Sequence, residues 1–184
     1  QLFRAEMPGP TKDRIEPRMA STAKMLWGVY VLLIVALIFL LRLGGMDWFD
    51  AVCHSFAALA TGGFSTRTAS VAAYDSVYIE QVLVAFMILG ALNFALHYRA
   101  LRGEFSPWWK DSGTRFYLSV LAAATLICAG ILHSSAAGLS WGEAFRQTSF
   151  TCVSLATTTG FCTADFDVWR KALKVLLLLL MLMG

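Results

Sequence analysis

Uncharged stretches alternate with polar ones along this chain in a regular order. Met25 to Leu41 carries no charge and lies between Lys24 and Arg42. A helix rises about 1.5 Å per residue and the hydrocarbon core of a bilayer is about 30 Å thick, so this run spans it with snorkelling ends. Trp27 and Tyr30 sit near one end, as an aromatic belt would. Gln81 to Tyr98, between Glu80 and Arg99, predicts a second span. Phe116 to Gly142 predicts a third, ending near His133, and Val175 onward begins a fourth. Two further uncharged runs are of another kind. Ala51 to Thr66 is short, rich in Ala, Ser and Thr, and closes on Thr61-Gly62-Gly63. Gln147 to Ala164 is full of Thr, Ser, Gln and Cys and closes on Thr157-Thr158-Thr159-Gly160. Non-helical backbone is tolerated at membrane depth only where protein buries it or where it lines an aqueous cavity. Both runs therefore predict re-entrant half-helices followed by irregular backbone.

The expected architecture is an all-α integral membrane protein: span, half-helix, span, basic loop, span, half-helix, span. Residues 1–24, with Pro8, Pro10 and Pro17 among basic side chains, read as a linker with a short helical start near Ser21. Residues 25–100 form one helix–pore-loop–helix unit, 101–115 a loop, and 116–184 a second unit cut short. Arg4, Lys12, Arg14, Arg18 and Lys24 share a side with Arg99, Arg102, Lys110 and Arg115, and the positive-inside rule makes that side cytoplasmic. Both half-helices then enter from outside. The chain opens on Gln1 and stops just after an apolar run, so it reads as an internal fragment of a longer protein.

The two units repeat. Gly45-Met46-Asp47-Trp48-Phe49-Asp50-Ala51 matches Gly138-Leu139-Ser140-Trp141-Gly142-Glu143-Ala144 at an offset of 93, and Thr61-Gly62-Gly63-Phe64-Ser65-Thr66 matches Thr158-Thr159-Gly160-Phe161-Cys162-Thr163 at 97. The four-residue difference is about one helical turn, so the second half-helix is expected to be one turn longer. Duplicated re-entrant loops imply a shared axis, and the natural object on that axis is a pore.

Composition agrees. Hydrophobic residues make up 58% and mean hydropathy is +0.63, above the usual soluble range. A net charge of +3 is too weak and scattered to argue for nucleic acid. Cys53, Cys128, Cys152 and Cys162 show no metal-ligand spacing and read as small buried hydrophobes. No nucleophile, general base or metal constellation stands out, so an enzyme is not expected, nor a cofactor.

The chemistry lies in the loops. A dehydrated cation needs oxygen ligands, and backbone carbonyls supply them where the chain can take unusual dihedrals. Thr61 and Thr158 could offer side-chain or main-chain oxygens. Gly63 and Gly160 sit where carbonyls must turn to the axis. Phe64 and Phe161 would point away from it and wedge the loops. The half-helix C-terminus, the negative end of the dipole, aims at the site. Arg67 could repel cations at the mouth or pair with an acid such as Asp75, the pair being favoured. Asp165 and Asp167 could gather cations or cap a helix. His54, His97 and His133 read as satisfied structural histidines.

A threonine, a glycine and an aromatic after a short half-helix resemble the potassium-channel filter T-V-G-Y-G. Together with Ala60 to Thr66, Ala156 to Phe166 and the leading segment Gln1 to Pro10, they resemble the Trk/Ktr/HKT superfamily of potassium transporters over essentially the whole chain. The resemblance implies four such repeats around a pseudo-fourfold pore, of which this chain carries the second and third. It implies filters at 61–65 and 158–162, Thr61, Gly62, Gly63, Phe64 and Ser65 with Thr158, Thr159, Gly160, Phe161 and Cys162, and potassium held at Thr61, Gly62, Gly63, Thr158, Thr159 and Gly160. Ser65 and Cys162 replace the channel's last glycine, which implies fewer or weaker ion sites. It further implies a homodimer in the bacterial inner membrane, contact with membrane lipid, a cytosolic TrkA-type nucleotide-binding regulator, potassium as substrate, and a gating loop near Gly184. Passive channel or symport stays open at this point. The other readings are an ion-coupled transporter of another solute, which predicts charges within the spans, and a non-transporting membrane subunit, which leaves the matched loops unexplained.

Overall fold

The structure, a computed structural model, describes residues 12–135 and 139–182. Among these the chain is helical with no strands. Helix α1 (Lys12–Leu43) begins well before the first uncharged run, which starts at Met25. The expected linker is thus helical from Lys12; extending an established helix into polar residues is cheap compared with nucleating one. Residues 1–11 and Gly184 lie outside those described. α2 (Trp48–Leu59) is the first half-helix, followed by irregular backbone and a 3-10 turn at Ser70–Tyr74.

The second span is not one straight helix. α3 (Val77–Ala91) and α4 (Phe94–Leu101) meet at a bend of 105°. Asn93 makes the break: its side chain accepts a hydrogen bond from the Ala95 amide at 3.0 Å and starts α4 afresh. His97 Nε2 then donates to the Leu89 carbonyl at 2.9 Å, joining the Leu92 amide on that oxygen and tying α4 back to the end of α3. A short α5 (Ser106–Lys110) leads into α6 (Ser112–Ser135), the second half-helix α7 (Trp141–Ala156), a 3-10 turn at Phe166–Val168 and α8 (Lys171–Met181).

α1 beyond Ser21 and α6 are long and apolar enough to cross a membrane, with mean hydropathies of 2.5 and 1.9, and the bent pair α3–α4 is a third candidate. The described part of α8 has 11 residues, about half the length a span needs. Each half-helix packs between the spans of its own unit, α2 against α1 and α3, α7 against α6 and α8, and the units join where α3 meets α7. Leu37, Leu41, Met46, Ala58, Leu83 and Met87 fill the first unit, and Cys128, Cys152, Phe150 and Leu173 the second. The outward surfaces of α1, α6 and α8 expose Trp27, Leu32, Phe39, Leu126 and Leu178, the face a lipid-bathed helix presents. The half-helices bear out the offset arithmetic: their starts, Trp48 and Trp141, lie 93 apart and their ends, Leu59 and Ala156, lie 97 apart.

Candidate functional site: two facing pore loops

Both half-helices end identically. The Ala57 carbonyl receives the amides of Gly62 at 2.7 Å and Gly63 at 3.4 Å. In the second unit the Ser154 carbonyl receives those of Thr159 at 2.9 Å and Gly160 at 3.2 Å. Just past each C-cap, Thr61 and Thr158 have φ of 51° and 57°. This left-handed conformation suits glycine, and a β-branched residue held there costs about 1–3 kcal/mol. The same strain at equivalent positions marks a loop whose shape is imposed.

A trans peptide sets C=O and N–H on opposite sides of the chain. Because the amides of Gly62, Gly63, Thr159 and Gly160 face their half-helices, the carbonyls of Thr61, Gly62, Thr158 and Thr159 face away. Among the described residues no donor hydrogen-bonds to any of these four oxygens. The Thr159 carbonyl reaches the other loop: a Cβ on Gly63 would collide with it, and Gly63 also has a φ of 64°. Gly160, with φ of 85°, has open space where its Cβ would be, so only its conformation favours glycine. The loops meet backbone to backbone, with unpartnered oxygens between the half-helices. The hydroxyls of Ser55 and Thr148, equivalent at the offset of 93, bond the carbonyls of Ala51 and Ala144 at 2.7 Å each. These hydroxyls serve the helices and not an ion.

The first loop is tied to its own half-helix. Asp50, buried in the first turn of α2, accepts Thr66 Oγ1 at 2.6 Å on Oδ1, and Arg67 Nε at 3.0 Å, Arg67 Nη2 at 2.8 Å and Tyr74 Oη at 2.8 Å on Oδ2. Arg67 thus pairs with Asp50; the expected partner, Asp75, instead lies 3.8 Å from Arg146. The aspartate is already in position one turn above the loop and sheltered from water, whereas Asp75 is exposed. The hydrogen bond that Arg67 donates to Asp50 raises the pKa of Arg67, and burial raises that of Tyr74, so both remain donors across the physiological range. One turn deeper His54 is bound to Ser65 Oγ at 2.9 Å.

The second loop is held differently. Ser154 Oγ donates to the Phe161 carbonyl at 2.8 Å. The Cys162 amide donates to Ser70 Oγ at 3.2 Å, and the Ala72 amide donates to the Cys162 carbonyl at 3.2 Å. Both of these last partners belong to the first unit's 3-10 turn. Ser70 itself has a φ of 54°, so it too is held under strain. Glu143, the counterpart of Asp50, serves α7 as a capping box with Ser140. Arg146 of α7 pairs with the buried Glu80 of α3 at 2.9 Å across the seam.

Several expectations are met in part. Phe161 is 2% exposed and wedged against His54, but Phe64 is 81% exposed and wedges against nothing among the described residues. Cys128 and Cys152 are buried as expected, Cys53 is half-buried, and Cys162 is exposed because it stands at the loop's outer edge. Asp165 caps the 3-10 turn through the Asp167 amide at 2.9 Å, and Asp167 lies 3.4 Å from Lys174. Neither caps α8, which starts after Arg170. All three histidines have hydrogen-bond partners.

A duplicated span–half-helix–span unit, with unsatisfied carbonyls on facing loops, defines the pore-loop class of membrane proteins. The family described as TrkH, cation transport protein, matches residues 1–184, and the chain belongs to that family. It is 43% identical over 180 residues to the Trk system potassium uptake protein TrkH of Escherichia coli K12, covering 97% of this chain and 37% of that protein. Against the protein of the same name from Vibrio parahaemolyticus it is 42% identical over 182 residues, covering 97% of this chain and 38% of that one. The crystal structure of the potassium transporter TrkH from Vibrio parahaemolyticus superposes with a TM-score of 0.85 at 38% identity, covering 95% of this chain and 37% of that one. The chain therefore spans little more than a third of the length of these relatives.

Proposed function

We propose that this chain supplies two of the pore loops through which a bacterial inner-membrane protein takes up potassium, with Thr61–Ser65 and Thr158–Cys162 as selectivity-filter segments. The observation that carries the reading is the set of four carbonyls, of Thr61, Gly62, Thr158 and Thr159, aimed away from their half-helices with no hydrogen-bond donor among the described residues. Carbonyls without a donor at membrane depth need another partner, water or an ion, and a ring of them suits a dehydrated monovalent cation. Gly63 and Gly160 let the backbone turn there, and the half-helix dipoles present their negative ends. The names of the relatives, potassium uptake proteins, agree.

The loops also meet head to tail. Phe161 of the second lies on His54 of the first unit, while Phe64, its equivalent, is bare. Contacts of that kind propagate until a ring closes, which supports further repeats completing the pore. A homodimer and a cytosolic TrkA-type regulator on the basic face belong to the same proposal. The test is rubidium influx by the full-length protein in a bacterium lacking its own potassium uptake. Wild type should restore influx, with potassium competing far better than sodium, and Gly63→Ser should relax that preference. Influx with unchanged preference in Gly63→Ser would place the filter elsewhere; no influx by wild type would sink the pore reading.

A further inference from the structure

His54 is completely buried on α2, and one imidazole touches both pore loops. Nδ1 lies 2.7 Å from the Asp50 carbonyl oxygen, and Nε2 lies 2.9 Å from Ser65 Oγ. A carbonyl only accepts, so Nδ1 carries the hydrogen and, in the neutral ring, Nε2 accepts from the Ser65 hydroxyl. Ser65 Oγ in turn accepts the Arg67 amide at 3.1 Å. The bonds run in one direction, Arg67 amide to Ser65 hydroxyl to imidazole to Asp50 carbonyl, and each hydrogen is used once. The ring face stacks on Phe161, with centroids 5.7 Å apart and planes at 27°, and Tyr74 meets it edge-on at 5.5 Å.

Ser65 stands two residues past Gly63, and Phe161 directly follows Gly160. His54 therefore holds both loops just beyond their turning glycines. The second unit has nothing alike: the positions at offsets of 93 and 97 are Gln147 and Thr151, and the Thr151 hydroxyl bonds back to the Gln147 carbonyl at 2.8 Å. We propose that His54 is a positioning residue for ion selection, fixing the separation of the two filters through Ser65 and Phe161. The inference rests on the pore reading above. Discrimination between potassium and sodium depends on the number and placement of the carbonyl oxygens. A filter freed at either contact should still pass ions and choose among them less well.

The test is rubidium flux in proteoliposomes holding the full-length protein, with potassium and sodium as competitors. Ser65→Ala and His54→Gln should each lower the potassium-over-sodium preference by about three- to tenfold, the size of one lost hydrogen bond. Ser65→Thr, which keeps a hydroxyl, should retain the preference, and the double variant should fall no further than the worse single one. If His54→Gln fails to fold, Ser65→Ala and Phe161→Leu decide alone. Normal flux with unchanged preference in those two overturns the role of His54. A wild type that conducts nothing overturns the pore reading itself, a separate result.

Discussion

The two pore loops share a backbone and differ in what holds them. The first is tied from behind by side chains of its own unit, Asp50 gripping Thr66, Arg67 and Tyr74 while His54 holds Ser65. The second is tied to its own half-helix only by Ser154 Oγ at the Phe161 carbonyl among the described residues, and its outer edge hangs on Ser70 and Ala72 of its neighbour. The two units share the part proposed to face the ion, with its left-handed threonine and turning glycine, and differ in the buttressing behind it. Carbonyl geometry tolerates one solution, whereas the means of supporting it are many. The first unit is thus self-supporting, and the second is supported through the seam.

The severest way to break this arrangement is at the contact between the loops. Gly63→Ala, like Gly63→Ser, drives a Cβ into the Thr159 carbonyl and pushes the loops apart, so rubidium uptake by the full-length protein should fall and most of its potassium-over-sodium preference should be lost, even where the protein reaches the membrane. Next in size, Asp50→Ala strips the partner from Thr66, Arg67 and Tyr74. It should cost about 1–3 kcal/mol in thermal unfolding of the purified protein, the scale of hydroxyl groups left without their acceptor, since Arg67 itself is half exposed. Glu143→Gln, at the equivalent place, keeps a side chain able to close the exposed capping box and should leave the unfolding midpoint almost unchanged. Equal losses would refute the contrast.

A smaller effect tests the support across the seam. Ser70→Ala removes the acceptor of the Cys162 amide, and the rate at which a charged thiol reagent modifies the exposed Cys162 should rise about two- to tenfold. An unchanged rate would mean that the second loop stands without its neighbour. The smallest expected difference is a control where the units agree. Ser55→Ala and Thr148→Val each delete a hydroxyl bonded one turn back, and their unfolding costs should match within about 0.5 kcal/mol.

Much of this was legible in the sequence because it is local. Uncharged runs gave the spans, and the shift of offset from 93 to 97 gave the extra turn of α7. The Thr–Gly–Phe loops were visible because few residue types fit such backbone. The bend at Asn93 was written there too, as a capping residue inside an apolar run, but hydropathy alone smooths over it. Partner choice was not legible. Arg67 selects Asp50 across 17 positions only once α2 and its loop are folded back, and the charge pattern pointed instead to the nearer Asp75. The same applies to His54: its satisfied state was expected, but its place between two loops depends on how the units dock. Phe64 and Phe161 look alike in sequence and differ in burial because Phe161 alone meets the other unit of this chain, at His54.

The longer α7 has a consequence for the approach to the ion path. Gly63 and the Thr159 carbonyl meet, so the lower ends of the two half-helices are level. Four additional residues in α7 therefore raise its upper end by about 6 Å relative to that of α2. Trp141 and Glu143 stand on that higher shoulder, and Trp48 and Asp50 on the lower one. On the proposed reading of the loops as a pore entered from outside, its vestibule has an uneven rim along this arc, and a bulky blocker should find its lower sill on the side of the first unit.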